Sequence, residues 1–492
     1  MAVRTRGARK RHDRAVKATG WWALLLAFSF AVMADPASSV AYAIEAGLRA
    51  LHGHLHLLLL TMGLVLGIIS LVRLNYDQLI RRFPQGGGAV AATAVAFGEG
   101  WAFWPLGALV VDFVLTIAIS AAAASSAVIA YFPRLAPERA GIALLLVCLV
   151  AGLTWFGHLG RSVFAWMTAT FIAVALVIFA AGFLAPHTRV FDPQPVTDGS
   201  AGFLTVLLAF PVAMALATGV EAPSSAIAQL GQLDDRGRER FGRVTLWLTF
   251  VVEGSLTAFI AVLAVHLHVG IPGHDSTLIA DVAEASVGRG ALFALFQLTS
   301  SLLLLAAASS SFQAGPGLLK ALARHRDGDG PSVGILPQAL GRTNRHHTPY
   351  WSVAVYLAIA GLVVLAANGR DQELVLFYAV AVFVSFLSGL LAMTRFSRRE
   401  GDRFHATVNL IGSALVAFTL LVNLRRGYPI ASLVAAGIIA LVLYGLWVRQ
   451  GRPRGIAMAE AEAEREVGRP DEEEDEDRAV DRPGPGAAPA EA

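Results

Sequence analysis

Apolar runs of about 20 residues, each long enough as a helix to cross a hydrocarbon core of about 30 Å, recur along most of the chain. Twelve spans are predicted, over 21 to 51, 54 to 74, 101 to 131, 139 to 157, 162 to 184, 202 to 230, 244 to 268, 289 to 320, 350 to 367, 372 to 394, 405 to 424 and 428 to 448. The runs are apolar throughout and do not alternate with polar residues, which excludes a β-barrel. Glycine and proline inside them do not count against helices, because packed neighbours satisfy the backbone groups they free. The fold class predicted is an all-α polytopic membrane protein.

Two of the spans, the first and the sixth, are interrupted by the same chemistry. Residues 33 to 45 read M-A-D-P-A-S-S-V-A-Y-A-I-E, and 217 to 228 read A-T-G-V-E-A-P-S-S-A-I-A. An acid, a proline and a Ser-Ser pair recur together at positions one and six, as expected when five spans are followed by five more in inverted topology. Paired interruptions of this kind point to a transport site near the membrane midplane. A broken helix frees carbonyls and exposes half-helix ends, which can replace an ion's water shell. Spans eleven and twelve fall outside this repeat.

Composition agrees, with 55% hydrophobic and 15% charged residues and a mean hydropathy of +0.60. An even number of spans puts both ends on one side, and charge selects the side. Arg73, Arg81 and Arg82, Arg161, Arg236, Arg238, Arg240 and Arg243, Lys320, Arg324 and Arg326, and Arg395, Arg398, Arg399 and Arg403 follow even-numbered spans. With the basic head (Arg4, Arg6, Arg9, Lys10, Arg11, Arg14, Lys17) and Arg449, Arg452 and Arg454, they place that face in the cytoplasm. The opposite loops hold fewer, notably Arg134, Arg139, Arg189, Arg289 and Arg370, with Arg425 and Arg426 dissenting. The expected domains are a basic cytoplasmic N-terminus (1–20), a transmembrane domain (21–448) and an acidic, disordered cytoplasmic tail (449–492) that includes D-E-E-E-D-E-D. The head imitates a signal peptide, but the apolar pattern resumes at once after Asp35 and fits an uncleaved anchor. The single cysteine, Cys148, has no intrachain partner and reads as a small buried hydrophobe.

Candidate chemistry comes from charges at bilayer depth, which cost a few kcal/mol each and therefore mark function. Asp35 lies in the first break, Glu221 in the second, and Asp112 in the third span. In V-D-F-V-L-T-I-A-I-S a helix puts Asp112, Thr116 and Ser120 along one face. All three are oxygen ligands suited to a hard cation. Thr218 and Glu221 are a turn apart around Gly219, and Tyr42 and Tyr378 add phenolic oxygens. Taken singly, the hydroxyls read as packing or back-bonding groups. Glu45 and Glu253 read as partners for arginines near helix ends. His52, His54 and His56 have a zinc-like spacing but no cysteine or acid cluster to complete a shell. No Walker loop or enzyme constellation appears, so the chain is not an enzyme and no cofactor is expected.

The segments D-P-A-S-S-V-A-Y-A-I-E, V-D-F-V-L-T-I-A-I-S, A-T-G-V-E-A and F-Y-A-V-A-V-F-V-S-F together resemble the KimA-type potassium-proton symporters, which belong with the Kup importers in the amino acid, polyamine and organocation (APC) superfamily. The resemblance covers most of residues 20 to 400. It implies a LeuT-like 5+5 core with discontinuous helices 1 and 6 in the cell membrane, and potassium and protons as the transported species. Asp35 and Asp112 would coordinate cations and couple protons, Tyr42 and Tyr378 would line or gate the path, and Thr116, Ser120, Thr218 and Glu221 would complete the potassium sites. The chain departs from the family in its end, where only the acidic tail follows the last span in place of a large soluble domain. Homodimer formation and cyclic-dinucleotide control are therefore left open. S-S-S-F-Q-A-G-P-G-L-L-K and F-G-H-L-G-R-S also depart from the pattern.

The leading expectation is proton-coupled uptake of a monovalent cation, with lipid and an inorganic ion as partners and no nucleic acid. A proton-coupled amino acid or polyamine permease is the alternative. The first break offers Asp35 and Pro36 in place of free N–H groups, which disfavours a substrate carboxylate but not a cationic polyamine. A non-transporting sensor is the third reading, which an effector domain would support.

Overall fold

The computed structural model describes residues 21–157, 160–187, 202–324, 334–427 and 429–468. The basic head, Arg189, Arg326, the side chains of Arg161 and Tyr378 and the D-E-E-E-D-E-D run lie outside the described residues. The first span is α1 (Trp21–Val32) and α2 (Ala34–Ala50), followed by α3 (Leu58–Arg82). A short helix, α4 (Gly88–Phe97), precedes α5 (Glu99–Tyr131), α6 (Arg139–Trp155) and α7 (Arg161–Leu184). The sixth span is α8 (Phe203–Ala213), a 3₁₀ turn (Met214–Ala217), α9 (Ala222–Ala226) and a second 3₁₀ turn (Ile227–Gln229). Next come α10 (Asp235–His266), the short α11 (Leu278–Val287), α12 (Ala291–Arg324) and α13 (Tyr350–Ala366). The chain continues through α14 (Asp371–Glu400), α15 (Arg403–Leu424), α16 (Pro429–Arg449) and α17 (Ala459–Gly468).

Each of the twelve predicted spans falls on a helix or a broken helix. Eleven are long and apolar enough to cross a membrane, and the twelfth, α13, has 17 residues, at the lower limit for spanning. The described residues contain no strand. The broken spans are the first and the sixth, the arrangement expected of an inverted five-plus-five core, and they pack on each other. α2 lies along α8 and its 3₁₀ turn, and the Ser39 hydroxyl donates to the Leu216 carbonyl at 3.1 Å. α5 is buried along most of its length between α12, α14 and α16. Small residues permit that approach, since a Cβ on Gly107 would stand 2.5 Å from the Ala436 carbonyl oxygen.

Cys148 is exposed on α6 rather than buried. Two further expectations are corrected. Arg73 is not a loop cation. It lies inside α3, 0% exposed, where it donates to Glu253 Oε2 at 2.6 Å and to the Leu246 carbonyl at 2.7 Å. Hydropathy ends the span at 74, but an acid on α10 neutralises Arg73 and the helix runs on to Arg82. Lys320 is likewise buried within α12 and pairs with Glu466. The second correction concerns the tail, whose first part is docked. Gly455 N–H donates to Glu99 Oε1 at 2.6 Å, Trp447 Nε1 donates to the Pro453 carbonyl at 2.8 Å, and α17 packs on α12.

Candidate functional site

The two breaks are built alike. Pro36 has no N–H to offer the carbonyl of Val32, one helical turn back, and Val32 lines the cavity. In the second break Thr218 is extended, Gly219 is left-handed at φ +72°, and Pro223 opens α9. The repeated serines now have a reason. Ser38 Oγ donates to the Asp35 carbonyl and Ser224 Oγ to the Glu221 carbonyl, each at 2.7 Å and each three residues after its acid. Each serine thus ties up its acid's own backbone oxygen, while the acid side chain turns into the cavity.

Asp35, Asp112 and Glu221 line one cavity of about 480 Å³. Asp35 and Glu221 reach it from the two breaks and Asp112 from α5. Asp35 Oδ1 and Glu221 Oε2 are buried without a hydrogen-bond partner, which is costly unless an ion, a proton or water completes them. The Tyr42 hydroxyl lies beside Thr218, whose own hydroxyl donates to the Ala215 carbonyl at 2.7 Å. Thr116 and Ser120 continue from Asp112 along α5, both buried. They do not line this cavity, nor do Tyr42 and Thr218. Tyr378 lies on α14, with its side chain outside the described residues. Among the described residues no three His, Cys or acid side chains converge on a single point; the three carboxylates instead surround the cavity.

The cavity has members that the motifs did not predict. Ser310, Ser311 and Gln313 come from α12, within one of the segments that depart from the family pattern, and their only signal was a serine triplet in an apolar run. Glu460 and Glu464 come from α17. Burial pushes the Glu460 carboxyl up to about 7, against the lowering effect of the hydrogen bond it accepts from Ser225. Among the residues whose side chains are described, no arginine, lysine or histidine lines the cavity.

Glu45 and Glu253 prove to be ion-pair residues. Glu45 accepts from Arg49 Nε at 2.8 Å and from the Leu278 N–H at 2.9 Å, joining α2 to α11. Beside them Gln372 Nε2 donates to the Tyr42 carbonyl, and Gln372 and Arg49 line a separate cavity at this end. At the other end the cavity reaches Gly160, Gln229 and Val467, on the face that carries the basic loops.

Gly219 is where the breaks touch. A Cβ there would meet Pro36 Cδ at 2.8 Å and Asp35 Oδ2 at 3.0 Å, in a conformation that costs an L-residue about 1–2 kcal/mol. Gly219→Ala is expected to abolish transport while the protein still purifies as a folded species. Flux and melting measured on the same preparation check this, and full transport by the variant would contradict it.

The chain matches the amino acid permease family over residues 20–448. It is 30% identical over 336 residues to the potassium transporter KimA of Bacillus subtilis (strain 168), an alignment covering 66% of this chain and 53% of that protein. The chain thus spans about half the length of the curated relative it matches. Two crystal structures of the Eremococcus coleocola manganese transporter align at TM-scores of 0.47 and 0.48, with 15% and 14% identity over 88% of this chain and 95% of theirs. The chain belongs to the amino acid permease family of the APC superfamily and is a multi-pass membrane transporter.

Proposed function

We propose that the protein imports a monovalent cation, potassium, in symport with protons across the cell membrane, with its basic face in the cytoplasm. The observation that carries this reading is the cavity's charge. Carboxylates from both breaks and from α5 surround it, and no basic residue with a described side chain lines it. Repulsion among Asp35, Asp112 and Glu221 is relieved by a metal cation or by a proton, so the two can exchange at one site. The similarity to a protein named as a potassium transporter supports the choice of ion. An inside-negative potential drives each inward charge by about 2.3 kcal/mol per 100 mV.

A second reading is favoured by size. A cavity of about 480 Å³ falls in the range that holds small organic ligands, and a polyamine suits its charge. Neutral amino acids fit less well, because Pro36 removes an N–H where their carboxylate would bind.

A ligand that binds only the native state raises stability, by about 2.7 kcal/mol at a hundred times its dissociation constant. Purified protein is expected to melt higher in potassium or rubidium than in matched choline, with no response to amino acids. Stabilisation by putrescine or spermidine alone would transfer the proposal to polyamines.

A further inference from the structure

The segment from Pro453 to Gly468 is drawn back onto the membrane domain, beside the cavity. Trp447 and Glu99 anchor its start. Within α17, Ala459, Ala461 and Ala463 are all buried, and only Glu462 and Arg465, neighbours on one face of the helix, are exposed. Ala461 sits against Gly86 and Ala463 against Gly317, so the alanines and glycines let backbone approach backbone.

Its polar groups reach two different parts of the transporter. Glu460 accepts from Ser225, and Gln229 Nε2 donates to Glu464 Oε2 at 2.6 Å, both partners lying just beyond the second break. On the other side Lys320 Nζ of α12 pairs with Glu466 Oε2 at 2.9 Å. Alternating access needs one set of helices to rock against the other around the site. A helix bonded to the broken sixth span and to α12 restrains that motion. Glu460, Glu464 and Val467 also line the cavity itself.

We propose that α17 is an autoinhibitory staple, which when docked holds the second broken helix against α12, covers the cavity's mouth and must release for transport. The inference goes beyond the choice of substrate and holds for a potassium or a polyamine carrier alike.

The test uses the full chain in a Cys148→Ser background, which removes the sole cysteine, with Ser310→Cys placed in the cavity wall. Labelling by a membrane-impermeant cationic thiol reagent is followed from the basic face. Two tail variants are compared with the parent: Ala461→Trp, which cannot seat against Gly86, and Glu460→Gln combined with Glu466→Gln, which weakens the tethers. Both changes lie in the tail; Glu460 also lines the cavity and its loss removes negative charge that draws the cationic reagent, so Ala461→Trp, outside the lining, carries the comparison. At least about tenfold faster labelling in Ala461→Trp, with a smaller increase in the double variant, is the expected result. Equal rates in all three proteins would overturn the staple. Rubidium flux, measured on the parent and the tail variants without Ser310→Cys, should also rise in the tail variants, and flux at or below the parent's despite faster labelling would overturn inhibition. If no protein carries rubidium, potassium transport fails and the labelling rates still decide whether α17 closes the mouth.

Discussion

Asp35→Asn is expected to cut cation uptake into proteoliposomes by at least about a hundredfold at an unchanged melting temperature. The change keeps shape and removes one charge. Asp35 belongs to the first break, abuts Gly219 of the second, and has a buried oxygen with no hydrogen-bond partner. A unit charge about 4 Å from a cation contributes about 4 kcal/mol at an effective dielectric constant of about 20, and each 1.4 kcal/mol is a factor of about ten. Stability should not fall, because the neighbours that act on Asp35 electrostatically, Asp112 and Glu253, are acids. Asp112→Asn should behave in the same way. Wild-type uptake by both variants would remove the carboxylates from the mechanism.

The largest effect on stability is expected at Arg73. Its guanidinium is fully buried, bonded to Glu253 and to the Leu246 carbonyl, and it lies 5.5 Å from the centroid of the Phe250 ring. Arg73→Met leaves Glu253 as an uncompensated buried charge, at a cost of about 3–5 kcal/mol. Arg73→Met combined with Glu253→Leu removes both charges and should restore most of the loss, since apolar replacement of a buried pair is often neutral or stabilising. Thermal unfolding in one detergent compares the three proteins. An Arg73→Met protein that melts with the parent would show that the pair contributes nothing to the fold.

The spans and their two breaks were legible in the sequence because they depend on local properties, namely run length, proline and glycine. Asp35, Asp112 and Glu221 were legible because a charge in an apolar run stands out, and the structure gathers these three around one cavity. What escaped depends on partners distant in sequence. Arg73 looked like the start of a loop because Glu253, its counter-charge, lies 180 residues away. The A-E-A-E-A-E stretch looked like solvated tail because alternating alanine and glutamate carry no helical apolar stripe; its seat exists only where Gly86, Ser225, Gln229, Gly317 and Lys320 meet. The short helices α4 and α11 fell below the length by which spans were recognised.

Proton-coupled potassium import stands or falls on influx into proteoliposomes of the intact chain, measured with and without an imposed inward proton gradient, with Asp35→Asn alongside. Influx that rises with the gradient and vanishes in the variant is the expected result. Folded protein that carries no potassium, or carries it at the same rate whatever the gradient, would contradict it.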